Sequence, residues 1–270
     1  MSSSKPWTLV TPASRGIGLA LARHLLKNTG APVLATFRKD EANVKKRLLD
    51  GLSGAEDRLK LMEVDVKNES TIISTAEEAS QLFPKRTHHL HLAFTIPGIL
   101  YPEKSPSQIE AEKALETFQV NVVANMLLIK HFSPFLPRKS TTFPAEDESL
   151  VGLPKKSAVF ALMSARVGSI ADNRAGGWYS YRSSKAGVTQ LARTLDIHLK
   201  ASAGDKAMAI ALHPGTVRTD FTEGLREAYE KAGKVITAEA SAKALITNIE
   251  DMSIDQRGRF WDWKGEEIPF

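Results

Sequence analysis

Tyr181-Arg182-Ser183-Ser184-Lys185 sets a phenol and an ammonium four residues apart, which on a helix is one turn apart on the same face. A neutral phenol can hand a proton to an oxygen whose carbon receives a hydride, provided that the resulting anion is stabilised. A lysine about 4 to 5 Å away would favour that anion by roughly 3 to 4 kcal/mol at an effective dielectric near 20, or about two to three pKa units. The plain alternative is an exposed helix pair, because a chain with four tyrosines and abundant lysine produces this spacing by chance as well.

A second cluster reads Thr11-Pro12-Ala13-Ser14-Arg15-Gly16-Ile17-Gly18, between an apolar run and a segment of helical period. A strand-to-helix turn offers unpaired backbone N–H groups and the positive end of a helix dipole, and glycines let a pyrophosphate approach the backbone. A dinucleotide suits this place; a turn that only joins strand to helix is the alternative. Pro12 removes one backbone donor and drives Thr11 toward extended backbone, as the last residue of a strand requires. The next strand-like run ends Ala35-Thr36-Phe37-Arg38. An acid there would accept from both adenosine ribose hydroxyls and repel a 2′-phosphate. Arg38, with Arg15 on the adjoining loop, could instead clamp that phosphate through charge-assisted bonds, so the expected cofactor is NADP(H). Asp40 competes if the strand ends later, and both arginines could simply be solvated.

These residues need a scaffold. Apolar runs of strand length fall at 7–11, 32–37, 59–64, 90–94, 157–163, 207–213 and 258–263. Segments of helical period lie between them, at 16–28, 41–52, 70–83, 107–118, 120–132 and 181–201, with one or two more helices in the loop from Pro214 onward. That alternation predicts an α/β fold: a single-domain, Rossmann-type, doubly wound parallel sheet of about seven strands with helices on both faces. The Pro/Ser/Thr-rich stretch 134–156 reads as a surface insertion.

Thr11, Gly16 and Gly18, together with Tyr181 and Lys185, resemble the short-chain dehydrogenase/reductase family, which has Thr-Gly-x-x-x-Gly-x-Gly and Tyr-x-x-x-Lys at these points. The resemblance runs through most of the chain. It implies that Asp65 and Val66 lie near the adenine, and that Asn121 supports a water relay to the active-site lysine. It also implies that Pro214, Gly215, Val217 and Thr219 form the loop beside the nicotinamide carboxamide. Where the family has Asn-Asn-Ala-Gly, this chain has Thr95-Ile96-Pro97-Gly98, and only the glycine survives. Ungapped alignment puts Ala165 at the position of the catalytic serine, with Ser164 one residue early. Ser164 is expected to supply that hydroxyl, with Ser169 or a serine-free site as alternatives. The segments 168–170, 176–182 and 265–270 are most similar to the branch containing bacterial C-factor proteins and insect sniffer-type carbonyl reductases. The implied activity is reduction of a ketone or aldehyde, reversibly alcohol oxidation. An imine or C=C reductase, and a non-enzymatic NADP(H)-binding regulator, are the competing readings.

Composition narrows the field. There are no cysteines, so thiolate chemistry and disulfides are excluded. Thirty-six Lys and Arg against 31 Asp and Glu give a net charge of +5. No basic stripe is interleaved with aromatics, so nucleic acid is not an expected partner. Neither a charged-then-apolar leader nor a membrane-length apolar run occurs, which reads as a cytoplasmic protein without membrane attachment. A homodimer or homotetramer acting on a small carbonyl or alcohol is expected. His88, His89 and His91 lack a carboxylate partner and are read as structural rather than as metal ligands. Trp178, Phe221 and Tyr229 flank the expected pocket.

Overall fold

The computed structural model describes residues 3–144, 150–219, 221 and 235–270. Runs such as Leu9-Val10, Val33-Leu34-Ala35 and Val159-Phe160-Ala161 are buried along their whole length, as strands covered on both faces must be. They form the strands β1 (Lys5–Thr11), β2 (Val33–Phe37), β3 (Leu59–Glu63), β4 (His88–Thr95), β5 (Ala158–Met163), β6 (Ala207–His213) and β9 (Phe260–Asp262), joined in the order β3-β2-β1-β4-β5-β6-β9. Every pairing is parallel. Two short strands, β7 (Thr216–Val217) and β8 (Val235–Ile236), pair separately.

Helices α1 (Gly16–Asn28), α2 (Glu41–Leu49) and α7 (Ala238–Glu250) cover one face. There Leu21, Leu25, Val44 and Ile246 meet Val10, Val33 and Ala35. Helices α3 (Glu69–Leu82), α5 (Ala124–Phe132) and α6 (Tyr179–Ser202) cover the other, where Ile72, Leu128 and Val188 meet Leu9, Leu34 and Phe160. The order of strands reverses between β1 and β4, and this is where a doubly wound sheet opens a crevice at its carboxyl edge.

Several boundaries differ from the sequence reading for physical reasons. Helix α2 stops at Leu49 because Gly51, at φ +68°, turns the chain. The predicted helix 120–132 begins instead with a π-turn over Gln119–Val123 that continues α4 (Ala111–Phe118) into α5. Within the stretch 134–156, Leu136, Leu150 and Leu153 are buried and the Pro154 carbonyl meets His91 Nε2 at 2.6 Å. These residues tie parts of the stretch to the core, while 138–140 and 155–156 are exposed; residues 145–149 lie outside the described residues, as do 220 and 222–234 with Tyr229.

Candidate active site

Helix α6 starts on Trp178, a left-handed residue at φ 52°. Tyr181 and Lys185 lie in its first two turns and are 6% and 3% exposed, so one face carries both into the interior. Lys185 Nζ donates to the Met163 carbonyl at the end of β5, 2.8 Å away, and lies 5.7 Å from the centroid of the Tyr181 ring. Burial lowers the Lys185 ammonium to about 8, and burial pushes the Tyr181 phenol up from its ordinary value. Desolvation, rather than a pull from the lysine, governs the phenol here, so it holds its proton at neutral pH.

Asn121 sits inside the π-turn, a distortion that recurs at functional sites. Its Oδ1 accepts from the Ile99 N–H at 2.8 Å. Its Nδ2 donates to the Ile99 carbonyl at 3.0 Å and to Ser184 Oγ at 2.9 Å. Ser184 in turn donates to the Tyr181 carbonyl. The amide thus braces the loop after β4 against the helix that carries the tyrosine. Gly98, on that loop, is so placed that a Cβ would stand 3.6 Å from Lys185 Nζ. Thr95 Oγ1, where the family has an amide, is buried without a hydrogen-bond partner among the described residues.

The expected serine hydroxyl is engaged elsewhere. Ser164 is 2% exposed; its Oγ donates to the Lys185 carbonyl at 2.8 Å and meets Thr189 Oγ1 at 2.9 Å. A one-residue step at the end of a strand reverses the side chain, and here it aims Ser164 into the backbone of α6. The alternative, Ser169, donates to the Pro269 carbonyl and accepts from the Asp172 N–H, tying down the C-terminal segment. Ala165 occupies the aligned serine position.

The β1–α1 turn lies at the same edge of the sheet. Thr11 Oγ1 accepts from Thr36 Oγ1 at 2.7 Å. Gly18 packs so closely that a Cβ would lie 2.1 Å from the Pro12 carbonyl. Gly16 is left-handed at φ +54°, and a Cβ on it would stand 3.2 Å from Thr219 Cγ2. The loop after β6 therefore reaches the phosphate turn. Arg15 is the N-cap of α1, and the helix has no acid in its first turn to compete with an anion. Ser14 offers its carbonyl to Arg47 Nη1, and Ile17 packs on the core.

β2 ends at Phe37, which puts the exposed Arg38 directly after it. Asp40 turns its carboxylate onto the Asn43 N–H to cap α2. Asp65 folds on itself, accepting from the Lys67 N–H, and Val66 is partly buried against the core. Pro214 accepts from Ser241 Oγ, Gly215 is left-handed against Trp263, and Val217 pairs with Ile236.

Two contributors escaped the sequence reading. Glu103 and Arg182 bind the segment leading into α6; Glu103 belongs to no motif, and Arg182 stands at a variable position of Tyr-x-x-x-Lys, where spacing does not signal its role. Aromatic rings surround the phenol: Trp178 meets Tyr181 edge-on at 6.1 Å, and Phe221 lies 6.0 Å from it.

The chain was compared with known proteins. A family model described as enoyl-(acyl carrier protein) reductase matches residues 12–253. An uncharacterized oxidoreductase of Schizosaccharomyces pombe is 27% identical over 279 residues, spanning 100% of both chains. Carbonyl reductase (NADPH) 1 of Mus musculus is 27% identical over 251 residues, covering 82% of this chain and 85% of its own. Among solved structures, the NADPH-bound carbonyl reductase from chicken fatty liver superposes with a TM-score of 0.80 at 24% identity, covering 100% of both chains. Carbonyl reductase Sniffer of D. melanogaster does so at 0.79 and 22%, again over the full length of both. A family model spanning nearly the whole chain, full-length oxidoreductase relatives and the Tyr181/Lys185 pair in place on α6 lead to one conclusion: the chain belongs to the short-chain dehydrogenase/reductase family.

Proposed function

We propose that this protein is an NADP(H)-dependent reductase of a ketone or aldehyde, running reversibly as an alcohol dehydrogenase, with Tyr181 as its general acid and base. The observation that carries the reading is the burial of Tyr181 and Lys185 together at the carboxyl edge of the sheet, beside Gly98 and Asn121. The surroundings fit a dinucleotide. The start of α1, which has no acid in its first turn, suits a pyrophosphate, and Gly98 leaves space in front of the Lys185 ammonium that a side chain would fill. Gly16, Ile17, Gly18 and Ser14 would hold the pyrophosphate, Asp65 and Val66 the adenine, and Thr95, Pro214, Gly215, Val217 and Thr219 the nicotinamide end. Arg38 and Arg15 would take the 2′-phosphate.

When bound, NADPH supplies the hydride. Tyr181, protonated at neutral pH, donates its hydroxyl proton to the carbonyl oxygen. Lys185, anchored through Met163, supplies positive charge beside the phenolate that remains. Asn121 and Ser184 fix the distance between the β4 loop and α6 while this happens. With Ser164 and Ser169 engaged in backbone bonds, the proposed site polarises the substrate oxygen without a serine hydroxyl.

Purified protein with NADPH, and separately with NADH, is tested against a panel of aldehydes, ketones and enoyl thioesters by following cofactor absorbance. Consumption of NADPH with a carbonyl supports the proposal. The matched model's description as an enoyl reductase favours C=C reduction as the second reading, and turnover of enoyl thioesters alone would select it. Binding of NADPH with no turnover of any class would select a regulator.

A further inference from the structure

Glu103 is a buried carboxylate that no step above uses. It lies in the loop after β4 and is 3% exposed. Its Oε2 accepts from the Ser180 N–H at 2.8 Å, and its Oε1 accepts from Ser180 Oγ at 2.5 Å. Its backbone carbonyl accepts from the Trp178 N–H at 2.6 Å. Both carboxylate oxygens and the main chain are thus spent on the residues that flank Tyr179, the first residue of α6.

That entry is unusual backbone. Gly176, Gly177 and Trp178 are left-handed in succession, at φ +63°, +65° and 52°, and tryptophan adopts this region only where its surroundings impose it. From the other side, Arg182 Nε donates to the carbonyls of Gly176 and Gly177, each at 3.0 Å, and its Nη1 donates to that of Val167 at 3.2 Å. The segment is gripped between an acid on the β4 loop and a base on α6. What it delivers is the Trp178 ring, edge-on to Tyr181.

We propose that Glu103 is a positioning residue for proton transfer, setting where the Tyr181 hydroxyl stands by capping the first turn of α6 through Ser180. The proposal rests on the reading of Tyr181 as the proton donor. A carboxylate at a helix N-terminus satisfies orphan N–H groups and opposes the positive end of the dipole. Tyr181 lies inside that first turn, so its ring frays with the turn. Lys185 lies one turn deeper and is held independently by Met163. Loss of Glu103 therefore moves the phenol relative to the ammonium and leaves the lysine in place.

The test uses Glu103→Ala and Glu103→Gln in the full-length protein. Glutamine can still accept from the Ser180 N–H and donate to Ser180 Oγ. Turnover, NADPH affinity and the tyrosine ring resonances of labelled protein are measured, the Tyr181 signal being assigned through Tyr181→Phe. For Glu103→Ala we expect kcat to fall about tenfold or more, as misplaced reacting groups cause, with NADPH affinity within about twofold and the Tyr181 resonance displaced. Glu103→Gln should restore both. An Ala variant that melts earlier but keeps wild-type kcat and the wild-type Tyr181 resonance would overturn the proposal. If Glu103→Ala does not fold, Ser180→Ala removes one of the two carboxylate bonds and should displace the same resonance with a smaller loss of kcat; an unmoved resonance there overturns the proposal equally. Should the wild-type protein reduce no substrate, the functional reading fails on its own, while the resonance still decides whether Glu103 places Tyr181.

Discussion

Lys185 reaches from α6 to the last carbonyl of β5, that of Met163, and its Nζ stands 5.7 Å from the centre of the Tyr181 ring. The sheet, not the helix alone, fixes the ammonium beside the phenol. Since burial holds Lys185 near 8, its charge is present below that pH and lost above it.

The pH dependence follows from that sign. In wild-type enzyme, kcat/KM for NADPH, which reports the free protein, should fall as pH rises through about 8 and Lys185 loses its proton. Lys185→Ala should lower both cofactor affinity and turnover and abolish this limb. A limb that persists unchanged in the variant assigns it to another group.

Ser164→Ala should act on stability rather than on chemistry. The hydroxyl it removes is buried on the Lys185 carbonyl and Thr189, so the cost is about 1 kcal/mol, or a few degrees in Tm, with kcat near wild type. A loss of a hundredfold or more in kcat, the size expected for an oxygen-polarising donor, would return Ser164 to the reacting centre.

Arg38→Ala should weaken NADPH binding by roughly tenfold or more, as loss of a charge-assisted bond implies, and leave NADH binding nearly unchanged. Titration of both cofactors by fluorescence checks this. Equal losses for the two would place Arg38 away from the 2′-phosphate.

Acid should destabilise the fold through buried histidines. Ser4 Oγ, His89, His91 and the Pro154 carbonyl form one hydrogen-bonded chain. Burial depresses His89 to about 3 and His91 to about 4, and it depresses His213, beside Arg166 and Asp262, to about 4. Because the unfolded chain takes up these protons near pH 6.5 and the folded one does not, stability present above 6.5 is lost as pH falls toward 4. Denaturant midpoints measured from pH 7 to pH 4 should show this loss, and His89→Gln should reduce its slope. A midpoint independent of pH over that range would show that the histidines take up protons alike in both states.

Much of this was legible in the residues. Apolar runs separated by helical segments indicated a parallel sheet of about seven strands, though not their order across it, and Arg38 falls directly after β2. The site was less legible where geometry turns on one residue. No periodicity distinguishes a π-turn at Gln119–Val123 from continuous helix, and strand alternation could not say toward which partner Ser164 would point. Spacing along a helix sets Lys185 beside Tyr181 but carries no information about desolvation, which raises the phenol. Glu103 and Ser180 lie 77 residues apart in sequence, and nothing local to either signals the bond.

The central claim is that the Tyr181 hydroxyl supplies the proton. The most direct measurement is the single-turnover rate of NADPH oxidation, with a carbonyl that the wild-type enzyme reduces, in Tyr181→Phe. The account predicts a loss of roughly 10²- to 10⁴-fold with NADPH affinity retained, since the ring still packs between Trp178 and Phe221. Retention of more than about a tenth of the wild-type rate would contradict a general-acid role of that size.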